Sequence, residues 1–344
     1  MPPAGSGGAV SDTPGDVPAA RAAPLLEVRD VAVDYVTGRG RLRAVDGVGF
    51  ELRAGETLGI VGESGCGKST LGRALLRLVP LARGSVRVDG RDLASLRGDA
   101  LRRLRADLQI VFQDPLASLD PRMTIGQSVA EPLQVHRPEL GRGGIRERVD
   151  AMLARVGLGP ELHNRYPHEF SGGQCQRVGI ARAMILEPRL VVCDEPVSAL
   201  DVSVQGQIVN LLLDLQRERG TALVFISHNL AVVRRLCERV LVMYLGRTME
   251  LAPREALYGA PLHPYSRLLL DAVPLPDPAA ERARPAFAAG EVASPFSPPS
   301  GCVFRTRCPA AQQRCAAQVP ALESADAARE VACLRWREGV TARW

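Results

Sequence analysis

Lys68 is the single lysine in a chain of 344 residues that carries 43 lysines and arginines together. It stands in Gly62-Glu-Ser-Gly-Cys-Gly67-Lys68-Ser69-Thr70, which fits the phosphate-binding pattern G-x-x-x-x-G-K-[ST]. Arginine is a wide planar fork, whereas lysine is a compact charge on a thin stem that fits inside a ring of backbone amides. Gly62, Gly65 and Gly67 let successive N–H groups turn inward, with Glu63, Ser64 and Cys66 between them. Lys68 would then neutralise the β- and γ-phosphates of a nucleotide, and Ser69 would offer its hydroxyl to Mg²⁺.

Asp194 and Glu195 end the apolar run Leu190-Val-Val-Cys. Asp194 could hold Mg²⁺ through water, and Glu195 could polarise an attacking water as a general base. Alone the pair reads as an acidic turn after a strand. With the phosphate loop upstream it points to phosphoryl chemistry.

These residues need a strand–loop–helix frame. Thr57 to Val61 reads as a short strand entering the loop, and Ser69 to Leu78 as the helix leaving it. Leu25 to Tyr35 and Val48 to Leu52 read as strands joined through Gly-rich turns. Leu108 to Phe112, Leu190 to Cys193 and Ala222 to Ile226 read as buried parallel strands. Residues 120–187 read as mostly helical, with periodic apolar positions from Val149 to Val156, and Asp201 to Arg217 as an amphipathic helix. Strands alternating with helices predict an α/β fold around a mainly parallel sheet.

Hydrophobic residues at 46% and charged residues at 24% describe a globular chain, and a formal charge of +5 gives no case for a nucleic-acid partner. The run Arg97, Arg102, Arg103 and Arg105 reads as a solvated helix face. No apolar stretch approaches the ~18 residues of a membrane span. No basic region followed by an apolar stretch marks a signal peptide, so the expected place is the cytoplasm. Residues 1–24, rich in Pro, Gly and Ala, are expected to be disordered.

Further segments carry a family resemblance. Phe170-Ser171-Gly172-Gly173-Gln174 resembles the signature motif of ABC-transporter ATPases. Gln113 resembles their Q-loop glutamine, Ser198-Ala-Leu-Asp201 their D-loop, and Ser227-His228 their switch histidine. The finer likeness is to the oligopeptide/dipeptide-importer ATPases. Tyr166-Pro-His-Glu-Phe, Gln113-Asp-Pro-Leu-Ala-Ser-Leu-Asp-Pro-Arg122, Pro261-Leu-His-Pro-Tyr265 and Pro298-Pro-Ser-Gly-Cys-Val-Phe-Arg-Thr-Arg-Cys-Pro309 carry it. The pattern is nearest to the second ATPase subunit of oligopeptide permeases. Phe170 stands where leucine is commoner in the signature.

The resemblance implies a P-loop ABC cassette over 25–260. It would have a RecA-like parallel-sheet core, an antiparallel β subdomain and a helical subdomain over about 120–187. An extension over 261–344, treated as separate, would follow. It implies ATP and Mg²⁺ as ligands, with Lys68, Ser69 and Thr70 on phosphates and metal. Gln113 would sense the γ-phosphate and join Ser69 and Asp194 around Mg²⁺. Glu195 and His228 would be catalytic with Gln113. Tyr35 would stack on adenine, although a core aromatic on a strand is an open alternative. Ser171, Gly172, Gly173 and Gln174 would close over ATP held by a second, homologous ATPase subunit in a heterodimer. Two membrane permeases would couple the pair to import of oligopeptides or dipeptides at the cytoplasmic face, with an extracytoplasmic binding protein acting indirectly. Nickel, glutathione or another small solute is the alternative cargo. A soluble ABC ATPase of translation or DNA repair is the other class, but tandem cassettes and coiled-coil insertions are missing. A regulatory subunit without turnover is the remaining reading.

Cys302-x5-Cys308-x6-Cys315-x17-Cys333 lacks the close pairs of zinc fingers. It resembles the importer-ATPase extension that carries a 4Fe–4S cluster, for which four thiolates are the ligand count. Zinc and unligated structural cysteines are the alternatives. Its expected role is to staple a tail with little core.

Overall fold

Every second residue of the short apolar strands points to a different core. In β3 (Thr57–Val61), Leu58 and Ile60 face one cluster and Val61 the other. In β8 (Ala222–Ile226), Leu223 and Phe225 oppose Ala222, Val224 and Ile226. A strand buried on both faces has no polar side, which is why these segments are continuous apolar runs.

The computed structural model describes residues 23–273, 290–291 and 293–341. All but the last two residues of the expected disordered N-terminal stretch lie outside the described residues, as does 274–289 within the extension.

Two sheets organise the described chain. A four-stranded antiparallel sheet has the order β2-β1-β4-β5, from β1 (Leu26–Thr37), β2 (Gly40–Leu52), β4 (Arg83–Val88) and β5 (Arg91–Asp92). The eight-stranded sheet has five parallel members in the order β9-β3-β8-β7-β6, namely β3, β6 (Leu108–Val111), β7 (Leu190–Asp194), β8 and β9 (Arg239–Tyr244). Beyond β9 it continues antiparallel through β10 (Arg247–Pro253), β12 (Glu330–Val331) and β11 (Glu323–Ser324).

Helix α1 (Lys68–Leu75) packs Leu71 and Leu75 into the core shared with the antiparallel sheet. It stops before the expected Leu78, and Arg77 takes a left-handed φ of 53° just beyond it. Helix α2 (Gly98–Asp107) has no fully buried residue; Leu104 and Ala106 pack partly buried against the cores, and Arg102, Arg103 and Arg105 are exposed. Helices α3 (Ile125–His136), α4 (Gly141–Arg155) and α5 (Gly172–Met184) occupy the span expected to be helical. Helix α6 (Val202–Arg219) buries Ile208, Leu212 and Leu215, and Gly220 ends it at φ 63°. Helices α7 (Leu230–Leu236), α8 (Arg254–Gly259), α9 (Pro264–Asp271) and α10 (Gln313–Ala317) follow.

Two expectations change. The strand expected at Val48–Leu52 is the end of a long hairpin arm, because Asp34 pairs with Arg41 and Arg43 across the polar half of β1 and β2. The segment after Pro261 is also not set apart. Tyr265, Leu268, Val303 and Phe304 enter the core of the parallel sheet, and β12 adds a strand beside β10.

Candidate functional site

The loop after β3 is shaped by contacts that only glycine permits. A Cβ on Gly62 would lie 2.2 Å from the Met243 carbonyl, and one on Gly67 would lie 2.1 Å from the Ala44 carbonyl. Both have positive φ, 152° and 104°. The Gly246 amide donates to Cys66 O at 2.8 Å and fixes the loop against β10. Helix α1 begins at Lys68, so its first amides point at the space the loop encloses.

Lys68 is 4% exposed. Its ammonium donates to Gly62 O at 2.9 Å and Glu63 O at 3.0 Å, and lies 4.0 Å from Glu195 Oε1. Ser69 Oγ donates to Asp194 Oδ1 at 2.6 Å. Burial raises the Asp194 carboxyl above its usual range, and the Ser69 hydrogen bond works against that rise.

Glu195 takes φ 47°, a left-handed conformation unusual for a residue with a Cβ. The turn is held by its amide, which donates to Ile226 O at 3.0 Å. Glu195 Oε2 accepts from Gln113 Nε2 at 3.4 Å and meets His228 Nδ1 at 3.2 Å. Tyr35 is half-buried, with its hydroxyl 3.5 Å from Thr70 Oγ1.

Lys68, Gln113, Asp194, Glu195 and His228 thus meet although they come from four segments. Each segment leaves the carboxyl end of a parallel strand, β3, β6, β7 or β8. Open α/β sheets place their ligands in that position.

The Ser171–Gln174 segment does not join this group. Ser171 caps α5: its Oγ accepts from Gln174 N at 3.3 Å, and Gln174 Oε1 accepts from Ser171 N at 2.9 Å. With Asp201, Leu200 and Val204 it lines a separate open cleft of about 300 Å³. No phosphate-loop residue lines that cleft. Ser171, Gly172 and Gln174 at this helix start are exposed.

All eight cysteines are free thiols. Cys302, Cys308, Cys315 and Cys333 line one cavity together with His263, Phe304 and Arg335. Burial pushes the Cys308 thiol up to about 12 and that of Cys333 to about 11. The cavity of about 20 Å³ has room for about one water. Among the described residues, no three His, Cys, Asp or Glu side chains stand in metal-holding geometry.

Sequence reasoning gave no role to Tyr265 and Arg307. Tyr265 Oη accepts from Glu63 N at 2.9 Å, and Arg307 pairs with the Glu63 carboxylate at 2.6 and 2.8 Å. The only signal was that both lie in quoted motifs outside the nucleotide segments.

The ABC transporter family model matches residues 45–198, and the model of the oligopeptide/dipeptide transporter C-terminal region matches 249–315. The oligopeptide transport ATP-binding protein OppF of Salmonella typhimurium is 55% identical over 321 residues, covering 90% of this chain and 96% of the relative. This chain belongs to the oligopeptide-transport branch of the ABC-transporter ATPases. OppF of Haemophilus influenzae is 54% identical over 321 residues, covering 90% and 97%. The dimeric, post-hydrolysis ATP-binding cassette MJ0796 bound to ADP and Pi superposes with a TM-score of 0.62 at 30% identity. It covers 67% of this chain and 98% of that one. The fold of this ABC ATPase is therefore the α/β P-loop cassette. Among its described residues, no helix is long and apolar enough to cross a membrane.

Proposed function

We propose that this ABC ATPase hydrolyses ATP to drive import of oligopeptides or dipeptides across the cell membrane. The observation that carries the reading is the meeting of Lys68, Gln113, Asp194, Glu195 and His228 beyond the carboxyl ends of the parallel strands. The kinship with oligopeptide transport ATP-binding proteins supports the cargo class.

ATP enters with its phosphates in the loop Gly62–Thr70. The Lys68 ammonium exchanges the Gly62 and Glu63 carbonyls for β- and γ-phosphate oxygens, and the start of α1 adds amide donors. Tyr35 stacks beside the adenine from β1 of the antiparallel sheet. Ser69, Gln113 and Asp194, the last through water, would hold Mg²⁺, which neutralises charge on the transferring phosphoryl group. The Ser69–Asp194 hydrogen bond shows that these two donors already converge. Glu195 accepts the proton of the attacking water, and Gln113 and His228, both within reach of its Oε2, orient that water.

The exposed Ser171–Gln174 segment and Asp201 serve a second site. They close over ATP held by a homologous ATPase partner, whose own signature closes over Lys68. Opening and closing of that heterodimer drives two permease subunits. This chain sits peripherally on the cytoplasmic face and reaches the peptide-binding protein only through the permeases.

The four C-terminal thiols match a 4Fe–4S cluster in ligand number and line one cavity. The cavity they line, about 20 Å³, is too small to hold it. Cys302, Cys308, Cys315 and Cys333 would be the ligands, and the group would cross-link the segment they span. Metal analysis after anaerobic purification tests this. About four iron and four sulfide per chain supports the cluster, and stoichiometric zinc or no metal rejects it.

Glu195→Gln tests the main reading. The variant is expected to bind ATP and lose steady-state hydrolysis, and unchanged turnover would remove Glu195 as the base. Purification from membranes with two multi-span permeases and a second ATPase supports the importer, whereas a soluble monomer argues against it.

A further inference from the structure

The C-terminal segment reaches the phosphate loop from behind. Glu63, the second residue of the loop, is gripped at three groups. Its carboxylate takes a two-pronged pair from Arg307, at 2.6 Å from Nη1 and 2.8 Å from Nη2. Its amide donates to Tyr265 Oη at 2.9 Å. Its carbonyl accepts from Lys68 Nζ at 3.0 Å and from Cys66 N at 3.3 Å.

Arg307 is itself fixed. Its side chain is 5% exposed, with the guanidinium 5.7 Å from the Tyr244 ring centre and 5.9 Å from that of Phe304. Tyr244, Tyr265 and Phe304 pack mutually, with centroids 4.8 to 5.4 Å apart. The backbone turn carrying Phe304 and Arg307 is pinned where Cys302 N donates to Cys315 O at 2.8 Å and Arg307 N to Phe304 O at 3.0 Å. A charge buried this deeply is costly unless it is paired. Glu63 is the carboxylate that meets it.

We propose that Arg307 is a positioning residue for ATP binding: through Glu63 it holds the phosphate loop open and in register before nucleotide arrives. The proposal rests on the reading of residues 62–70 as the ATP site. A loop ordered in advance spends no binding energy on ordering. If the clamp is lost, the binding-competent loop is only part of the population, and apparent affinity falls by that fraction. The chemistry of the bound complex is untouched: Arg307 pairs with the Glu63 carboxylate, whereas Gln113 and His228 meet Glu195, and among the described residues no hydrogen bond or ion pair joins the two groups. Arginine is required because a planar fork matches both carboxylate oxygens.

The test uses the full-length chain with Mg²⁺ and ATP, measuring equilibrium ATP binding and, in the assembled transporter, KM and kcat separately. Arg307→Met keeps the stem that packs on Tyr244 and Phe304 but removes the charge. Glu63→Gln is nearly isosteric and breaks the pair from the other side. Each is expected to weaken ATP binding and raise KM about tenfold, with kcat within about threefold. The double variant is expected to be no worse than the weaker single within about twofold, since both remove one interaction. Arg307→Lys should recover part of the loss. Wild-type affinity in Glu63→Gln overturns the clamp even if Arg307→Met fails to fold, and so do additive losses or a fall in kcat alone. A wild-type chain that does not bind ATP overturns the nucleotide reading itself and the clamp with it.

Discussion

Ser69 Oγ and Asp194 Oδ1 lie 2.6 Å apart, joining the first turn of α1 to the end of β7 across 125 residues. A hydroxyl that donates to a buried carboxylate favours its ionised form, while burial, the larger effect here, raises its pKa. The same two oxygens are the ones a hard cation would take. Ser69→Ala removes the donor and one cation ligand together. It is expected to raise the Mg²⁺ concentration needed for half-maximal ATPase activity at least about tenfold, since a hydrogen bond to a charged group contributes ~1.5–3 kcal/mol. An unchanged Mg²⁺ titration would separate Ser69 from the metal.

Lys68 offers a cleaner comparison, because it is the chain's single lysine. Lys68→Arg preserves net charge. Its ammonium fits between Gly62 O, Glu63 O and Glu195, at 2.9, 3.0 and 4.0 Å, and the guanidinium fork is wider than that space. ATP binding or hydrolysis is expected to fall by about a hundredfold, as for loss of one well-placed electrostatic contact at a reacting phosphate. Near-normal ATPase activity in this variant would falsify the role of the lysine and leave its solitude as a matter of composition.

The nucleotide half of this molecule was legible because its chemistry is written locally. Gly62 to Thr70 is a contiguous loop, and Asp194 and Glu195 are neighbours at a strand end. Strands β3, β7 and β8 are short apolar runs that have few other uses. The C-terminal half was not legible in the same way. Nothing near Tyr265 or Arg307 in the sequence points to Glu63, which lies 202 and 244 residues away. A pairing of that kind exists only once β10, α9 and the aromatic cluster have packed. The long hairpin was also missed, because its polar half is held by Asp34, Arg41 and Arg43 and not by an apolar alternation. For the cysteines the sequence gave the donor set, but spacing carries no information on the size of the cavity they close.

Glu250 supplies a stability test of the joint between the sheet and the C-terminal segment. It lies on β10, fully buried, and its two oxygens accept from Leu262 N at 3.0 Å and His263 N at 2.9 Å. Burial raises its carboxyl, and those two amides act against the rise. Glu250→Ala leaves the buried His263 N–H and the partly buried Leu262 N–H without this acceptor, at a cost of about 1–3 kcal/mol each. Denaturant unfolding is expected to show a loss of about 2–5 kcal/mol. A loss below about 1 kcal/mol would mean that the turn into α9 is held by other contacts.

His263 makes the pH dependence of the same joint measurable. It is 1% exposed and caps α9, with Nδ1 accepting from Tyr265 N at 2.9 Å. Burial depresses the imidazole to about 3. The ring packs at 5.9 Å from Phe304, in a cavity bordered by Arg305, Arg335 and the four C-terminal thiols, and its amide faces Glu250. Protonation would destroy the Nδ1 acceptor and leave a cation in a fully buried place. The folded chain therefore keeps His263 neutral, whereas the unfolded chain takes up its proton near pH 6.5. The stability this contributes is complete above about pH 6.5 and drains away as pH falls toward 3, at up to about 1.4 kcal/mol per pH unit. His263→Asn keeps a side chain able to cap α9 and removes the titration. The variant is expected to be less stable at pH 7, but its further loss between pH 7 and pH 5 should be smaller than the wild type's by about 2 kcal/mol. Parallel stability–pH curves for the two proteins would show that the imidazole is solvated in the fold and that the cap, not the proton, is what His263 contributes.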